Sequence, residues 1–379
     1  MMKPRTLLSL CAAMIALGGM AHADVMTTEA DFAYIMDADT GTTLYSKNGE
    51  TPMVPASMTK LMTVHIVLER IRDGRLSLDD EFTVSENAWR KGGSSSGGST
   101  MFLEPRSKVR IEDLLRGVII QSGNDACITI AEGISGSEEA FADLMTQRAH
   151  ELGLATASFK NSTGLYVEDH VISAMDLARL ARMTINDFPE FYSLYSETDF
   201  TWNGIKQPNR NPLLGEVEGA DGLKTGHLDI SGYGLVGSAV RDGERRIIVL
   251  NGLNSISERA SEAQRVMRAA FVDFRTFTFA DAGAVVGQAD VWMGEQDKVD
   301  LTVDETLTGI VHLDSARQVR IFVEYKGPLH APVAAGQVVG DLVVEAPGLD
   351  TIRVPLKAKD AVAKKGLVAR ALVGLGLGG

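Results

Sequence analysis

The chain has 379 residues, of which 45% are hydrophobic and 23% charged, and it carries a formal net charge of -13 at pH 7. That length and apolar content suffice for a substantial core in two domains, or in one domain with an appendage, and they exclude a disordered or repeat protein. The acidic balance leaves no large basic patch for phosphate, so nucleic acid is excluded as the main partner.

Lys3 and Arg5 precede an apolar run from Leu7 to Met20, and Ala21-His22-Ala23 supplies an A-x-A cleavage pattern before Asp24. Residues 1–23 therefore read as a secretory signal, too short to serve as a stable spanning anchor. Cys11 leaves with it. The exported chain keeps one cysteine, Cys127, and is expected to hold its fold without an internal disulfide. The seven histidines form no metal-like cluster with cysteine, so no metal and no cofactor is expected.

Residues 33–36 and 42–45 flank Asp37-Ala38-Asp39-Thr40-Gly41, a hairpin pattern. Next comes Pro55-Ala56-Ser57-Met58-Thr59-Lys60, followed by Leu61, Met62, Val64, Ile66, Val67 and Leu68 with no glycine or proline before Gly74. This predicts a helix with Pro55 and Ser57 in its first turn. Residues three apart share a helix face, so the Lys60 amine can reach the Ser57 hydroxyl and act as the base a weak serine nucleophile needs. Ser57 at a helix start also meets free backbone N–H groups that suit a developing oxyanion. Taken alone, S-x-x-K arises by chance on the order of once in a chain this long, usually on a solvated helix face.

Residues 92–99, Gly-Gly-Ser-Ser-Ser-Gly-Gly-Ser, form a loop that either borders a cleft or merely links two elements. A helix is predicted over 111–120, running into Gln121-Ser122-Gly123-Asn124, and a second over 125–132. Ser122 is thereby held in a tight turn between two apolar helices, a rigid position for relaying protons, although S-G-N by itself is common turn chemistry. Cys127 reads as a packed core residue; the alternative places its thiol within reach of the site. Further helices are predicted over 141–152 and from Ser173 to Ile185. The polar, turn-rich stretch 202–211 carries Arg210, either a surface charge or a clamp for a carboxylate.

Asp221-Gly222-Leu223-Lys224-Thr225-Gly226-His227 precedes two apolar runs, 232–240 and 247–250, that make an antiparallel pair around Arg241-Asp242-Gly243. Lys224-Thr225-Gly226 is expected on the strand before them, where a glycine leaves room for an extended peptide to pair with the strand. A helix is predicted over 257–274. From about Ala280 apolar residues alternate with polar ones, the pattern of a small all-β domain over 280–352. The tail from Arg353 to Gly379 holds six Lys or Arg against one Asp and ends almost wholly apolar. It suits attachment to an anionic membrane surface; the alternative is a frayed terminus.

Ser57-x-x-Lys60, Ser122-Gly123-Asn124 and Lys224-Thr225-Gly226, in that order, resemble the set shared by serine β-lactamases and penicillin-binding proteins. Four longer stretches, 55–60, 121–127, 209–211 and 221–227, resemble the D-alanyl-D-alanine carboxypeptidases, the low-molecular-mass penicillin-binding proteins. The resemblance implies an α/β transpeptidase-like domain over 24–279, with an antiparallel sheet flanked by helices. A β-sandwich over 280–352 and a membrane-associating tail helix over 353–379 would follow. It implies a periplasmic enzyme at the outer face of the cytoplasmic membrane that removes the terminal D-alanine from peptidoglycan stem pentapeptides and is inhibited by β-lactams. In that scheme Ser57 is the nucleophile and Lys60, kept neutral by the crowding second lysine, is its base. Ser122 returns the proton, held by Lys224. The backbone N–H groups of Ser57 and His227 form the oxyanion hole. Thr225 and Arg210 bind the terminal carboxylate, Asn124 the substrate amide, and Gly226 lies on the substrate-binding strand. The competing readings are a β-lactamase, a murein endopeptidase with the same site, and a non-catalytic murein-binding scaffold. No E-x-x-x-N or E-x-x-L-N segment between Ser122 and Lys224 supplies the extra carboxylate a β-lactamase uses.

Overall fold

The computed structural model describes residues 26–347 and 349–368; the expected signal at 1–23 and the tail beyond residue 368 lie outside them. Five antiparallel strands form the central sheet: β1 (Phe32–Asp37), β2 (Thr43–Lys47), β3 (Ala220–Leu228), β4 (Gly232–Arg241) and β5 (Glu244–Leu253). Their spatial order is 2-1-5-4-3, which leaves β3 at an edge. The expected hairpin is β1–β2, its turn closed by Asp37 Oδ1, which accepts from the Thr40 N–H at 2.8 Å and the Thr40 hydroxyl at 2.6 Å.

Alternation along each strand sends successive side chains to opposite faces, and each face has its own core. Tyr34, Met36, Val236, Ile247 and Val249 join a helical layer, whereas Ile35, Leu235, Ile248 and Leu250 pack with Val266 and Met267 of a single helix behind the sheet. The helical layer holds α1 (Lys60–Arg72), α2 (Glu86–Gly92), α3 (Ile111–Ile119), α4 (Asn124–Ser135), α5 (Glu138–Glu151) and α6 (Ala174–Asp187); the helix behind is α7 (Ile256–Val272). Serine caps start four of them. Ser85, Ser137, Ser173 and Ser255 accept from backbone N–H groups three residues on, and an acid stands in each first turn.

The helices expected from periodicity are present, with several ends displaced by two or three residues. The helix expected to reach Phe274 stops at Val272, and Phe274 opens a strand instead. Its ring is buried edge-on against His312 at 5.1 Å, a packing partner that local periodicity does not reveal. The polar stretch around Arg210 also contains more structure than its turn residues indicate: Asp199–Trp202 and Ile205–Pro208 pair as a short hairpin.

The second unit is all-β. Phe274–Ala280 pairs with Leu307–His312, and a six-stranded sheet contains Val285–Trp292, Lys298–Thr302, Arg320–Tyr325, Leu329–His330, Val338–Ala346 and Leu349–Ala358. Leu301, Leu342 and Leu356 lie in its core. Both boundaries expected for this unit move. It begins at Phe274 rather than 280, because that strand already pairs within it. It also extends past 352: the last strand runs to Ala358, and Val362 and Lys364 bridge to Val333 and Gly294. Basic residues assigned to the tail, Arg353 and Lys357 among them, thus belong to a sheet. Of the tail expected over 353–379, residues 353–368 are described, and among them only Leu367 and Val368 are in helical conformation, both exposed. Among the described residues no helix is long and apolar enough to cross a membrane.

One buried ion pair fastens the sheet. Arg246 on β5 is 1% exposed and bonds Asp37 at the end of β1, Glu244 at 2.8 Å and the Ala270 carbonyl of α7 at 3.2 Å. Asp37→Ala strands a buried guanidinium and should cost about 3 kcal/mol, read as a lower urea midpoint with an unchanged slope.

Candidate active site

Ser57 lies in a 3-10 turn, Ala56–Thr59, that runs directly into α1 at Lys60. The tighter turn matters, because side chains three apart eclipse one another in a 3-10 helix. Lys60 Nζ sits 2.9 Å from Ser57 Oγ, and it also donates to Asn124 Oδ1 at 2.9 Å and to the Thr163 carbonyl at 2.6 Å. The lysine is wholly buried. Burial lowers its amine to about 8, and the positive charge of Arg210 opposes protonation further. Lys224 is pushed well below the usual lysine range, by burial first and then by the charge of Lys60.

Ser122 occupies the turn between α3 and α4 with a left-handed φ of 59°. Its hydroxyl, almost fully buried, accepts from Lys224 Nζ at 3.1 Å. The Gly123 N–H donates to the Gly117 carbonyl at 2.9 Å, and the Asn124 N–H to the Ser99 carbonyl at 2.8 Å, so the turn is held from both sides. Asn124 joins the two serine–lysine pairs: it follows Ser122 by two residues and its carboxamide oxygen receives the Lys60 amine. The four groups therefore converge on one site.

Lys224, Thr225 and Gly226 lie on the edge strand β3, all three buried, with His227 next and exposed. The glycine has a physical reason within the protein itself. A Cβ at Gly226 would lie 2.9 Å from the Pro55 carbonyl oxygen and 3.3 Å from Ala56 Cβ. Its absence lets the strand approach the nucleophile turn. The His227 ring stacks on Tyr233 at 3.8 Å. Arg210 is exposed, donates to Ser99 Oγ at 2.6 Å, and its charge acts on both Lys60 and Lys224. The glycine-rich loop 92–99 borders the site: a Cβ at Gly98 would lie 2.8 Å from Asn124 Nδ2.

Comparison with known proteins agrees with this arrangement. The family described as D-alanyl-D-alanine carboxypeptidase matches residues 19–254, and the family described as penicillin-binding protein 5, C-terminal domain, matches residues 274–364. The chain belongs to the D-alanyl-D-alanine carboxypeptidase family. It is a serine peptidase, a hydrolase with the two-domain build of the low-molecular-mass penicillin-binding proteins. It is 36% identical to the D-alanyl-D-alanine carboxypeptidase DacD of Escherichia coli, over 89% of this chain and 87% of that protein. It is 34% identical to DacF of Bacillus subtilis, over 90% and 87%. The crystal structure of the D-alanyl-D-alanine carboxypeptidase DacD from Francisella tularensis superposes with a TM-score of 0.78 at 31% identity, covering 90% of this chain and 95% of that one.

In this member of the carboxypeptidase family several supporting groups escape sequence reasoning. The Thr163 carbonyl is one of three acceptors around the Lys60 amine, and a backbone oxygen has no signature of its own. The signal that could have found it is the turn that holds it: Asn161 Oδ1 accepts from the Thr163 and Gly164 N–H groups at 3.1 and 2.7 Å, ordinary Asn turn chemistry. Gly164, with φ of 82°, presses on the nucleophile turn so closely that a Cβ would overlap the Ala56 carbonyl. Asp125, fully buried, accepts from the Thr100 hydroxyl and the Met101 and Leu103 N–H groups at 2.7–3.0 Å, which locks residues 100–103 beside the site. Cys127 is packed in the core, and burial pushes its thiol up to about 12. Among the described residues no group of His, Cys, Asp and Glu is arranged to hold a metal ion.

Proposed function

We propose that Ser57 is the acylated nucleophile of a D-Ala-D-Ala carboxypeptidase acting on peptidoglycan stem peptides. The observation that carries this reading is the buried Lys60 amine, 2.9 Å from the Ser57 hydroxyl and lowered by burial to about 8. A neutral Lys60 takes the Ser57 proton as Oγ bonds the carbonyl carbon of the penultimate D-alanine. The carbonyl oxygen then gathers negative charge. The N–H groups of Ser57 and of His227, on a strand with one edge unpaired, are suited to receive it. As the C–N bond breaks, Ser122, its hydroxyl aligned by Lys224, gives its proton to the departing D-alanine nitrogen and takes in turn the proton that Lys60 removed from Ser57, which leaves Lys60 neutral again. Water then cleaves the ester, returning Ser57 and the shortened peptide.

Arg210 and Thr225 hold the terminal carboxylate, the Arg210 guanidinium supplying the positive charge that favours an anion at that end. Asn124 serves both lysine and substrate, its oxygen engaged by Lys60 and its amide nitrogen turned toward the substrate amide. A β-lactam carries an acyl group and a carboxylate in the same relation, so it acylates Ser57 and leaves slowly. The signal pattern at 1–23 and the basic, apolar tail support a periplasmic enzyme held at the membrane surface.

Four outcomes check these assignments. Release of D-alanine from a stem pentapeptide, and the penicillin mass shift on the protein, should both vanish in Ser57→Ala. The acylation rate of the native enzyme should climb as pH rises through about 8, because Lys60 accepts a proton only once it has lost its own; a flat profile removes Lys60 as the base. Arg210→Ala should reduce the preference for a free over an amidated C-terminus by roughly tenfold or more, read as the ratio of kcat/KM values. Deleting residues 367–379 should move the protein from the membrane pellet to the soluble fraction.

A further inference from the structure

His170 is a buried imidazole that takes no part in the acyl transfer described above. It sits at the base of the loop that supplies the Thr163 carbonyl to Lys60. The main chain enters and leaves this loop through paired hydrogen bonds between Ser158 and Val171, at 2.8 and 2.9 Å, and the His170 ring, 2% exposed, packs edge-on to Phe159 at 5.6 Å. Its Nδ1 accepts from the Lys160 N–H at 3.0 Å, and its Nε2 lies 2.8 Å from the Thr59 hydroxyl. A ring nitrogen that accepts carries no proton, so the neutral imidazole bears its one proton on Nε2 and donates it to Thr59. Burial first, then the charges of Lys160 and Lys60, lowers the imidazole to about 4, so this neutral form persists at physiological pH.

Thr59 belongs to the nucleophile turn and immediately precedes Lys60. Gly164 of the same loop comes so near that a Cβ there would lie 2.9 Å from Thr59 Oγ1. Three polar contacts thus tie the loop to the start of α1: Thr59 to His170, Lys60 to the Thr163 carbonyl at 2.6 Å, and the Thr63 hydroxyl to the Ser162 carbonyl at 2.7 Å. Two end on backbone oxygens. Only the first uses a side chain of the loop, and it falls on the residue between the nucleophile and its base.

We infer that His170 is a positioning residue for acylation: its bond to Thr59 holds the nucleophile turn against the Thr163 loop and thereby keeps the Lys60 amine buried and in reach of Ser57. The inference rests on the reading of Lys60 as the base. Without the bond the turn loosens from the loop and water reaches the amine. Lys60 then returns toward the ordinary lysine range, because burial is the main cause of its lowering.

The test follows acylation of the full-length enzyme by benzylpenicillin, as the mass shift on the protein, across the pH range of the Lys60 titration and at subsaturating and saturating concentrations. The carboxamide nitrogen of glutamine stands as many bonds from Cα as the ring Nε2, whereas that of asparagine reaches only as far as Nδ1. His170→Asn therefore loses the donor to Thr59. It should slow the acylation step about tenfold or more, move the pH midpoint upward from about 8, and leave the affinity for penicillin before acylation unchanged. His170→Gln keeps the donor and should recover both rate and midpoint. Thr59→Val removes the acceptor at nearly constant shape, in a chain whose imidazole is intact, and should reproduce the asparagine result; the double variant should be no slower than the slower single one. A native midpoint in both His170→Asn and Thr59→Val, or a loss that glutamine fails to restore, leaves His170 a packing residue whose replacement only lowers the thermal unfolding midpoint, and overturns this inference alone. A flat profile in the native enzyme removes Lys60 as the base, and the inference with it.

Discussion

The Lys60 amine is the point on which the site depends. It is surrounded by oxygens from three parts of the chain: the Ser57 hydroxyl just before its own helix, the Asn124 side chain at the start of α4, and the Thr163 carbonyl in the loop before α6. One buried nitrogen therefore sets the position of the nucleophile, the second serine's turn and the loop that backs them. Each of those oxygens would otherwise face the desolvation cost of a buried polar atom without a partner, so the arrangement is mutually enforcing. A side chain clamped this way has little freedom to wander from its hydroxyl, which is the preorganisation that acyl transfer requires.

The electrostatic design departs from what stability alone favours. Two lysines are buried side by side, and among the described residues neither amine bonds a carboxylate. Burying charge without an opposite partner is unfavourable, and the groups respond by releasing protons more easily. The protein thereby obtains amines that give up their protons far more readily than a solvated lysine does. Contrast the ion pair of Arg246 with Asp37 on the same sheet, or Arg148 with Glu69 at 2.7 Å: there burial comes with an opposite charge, and the groups serve packing.

Close backbone approach is the other recurring device. Gly226 brings β3 against the nucleophile turn, Gly164 brings the supporting loop against the Ala56 carbonyl, and Gly98 brings the 92–99 loop against Asn124. All three meet the serine turns where a Cβ would hold them away. Strained residues collect at the same place: Ala56, next to the nucleophile, and Ser122 both adopt positive φ, at 48° and 59°. Such conformations persist where surrounding contacts over-determine them, and here those contacts are the ones made by the two lysines.

By itself the sequence determined the class of fold, the order of its elements and the residue types of the site. Periodicity located α1 and α3–α6 because their apolar faces are continuous in the chain, and the three short motifs marked Ser57, Lys60, Ser122 and Lys224 because side-chain chemistry is written in residue type. Tertiary structure decided what depends on atoms distant in sequence. The Thr163 carbonyl and the backbone packing behind Gly226 leave no trace in residue type. The strand beginning at Phe274 took its identity from a partner near His312, overriding a helical pattern. The basic residues Arg353 and Lys357 read as tail but are held in a sheet by hydrogen bonds to a strand whose pairing no local pattern specifies.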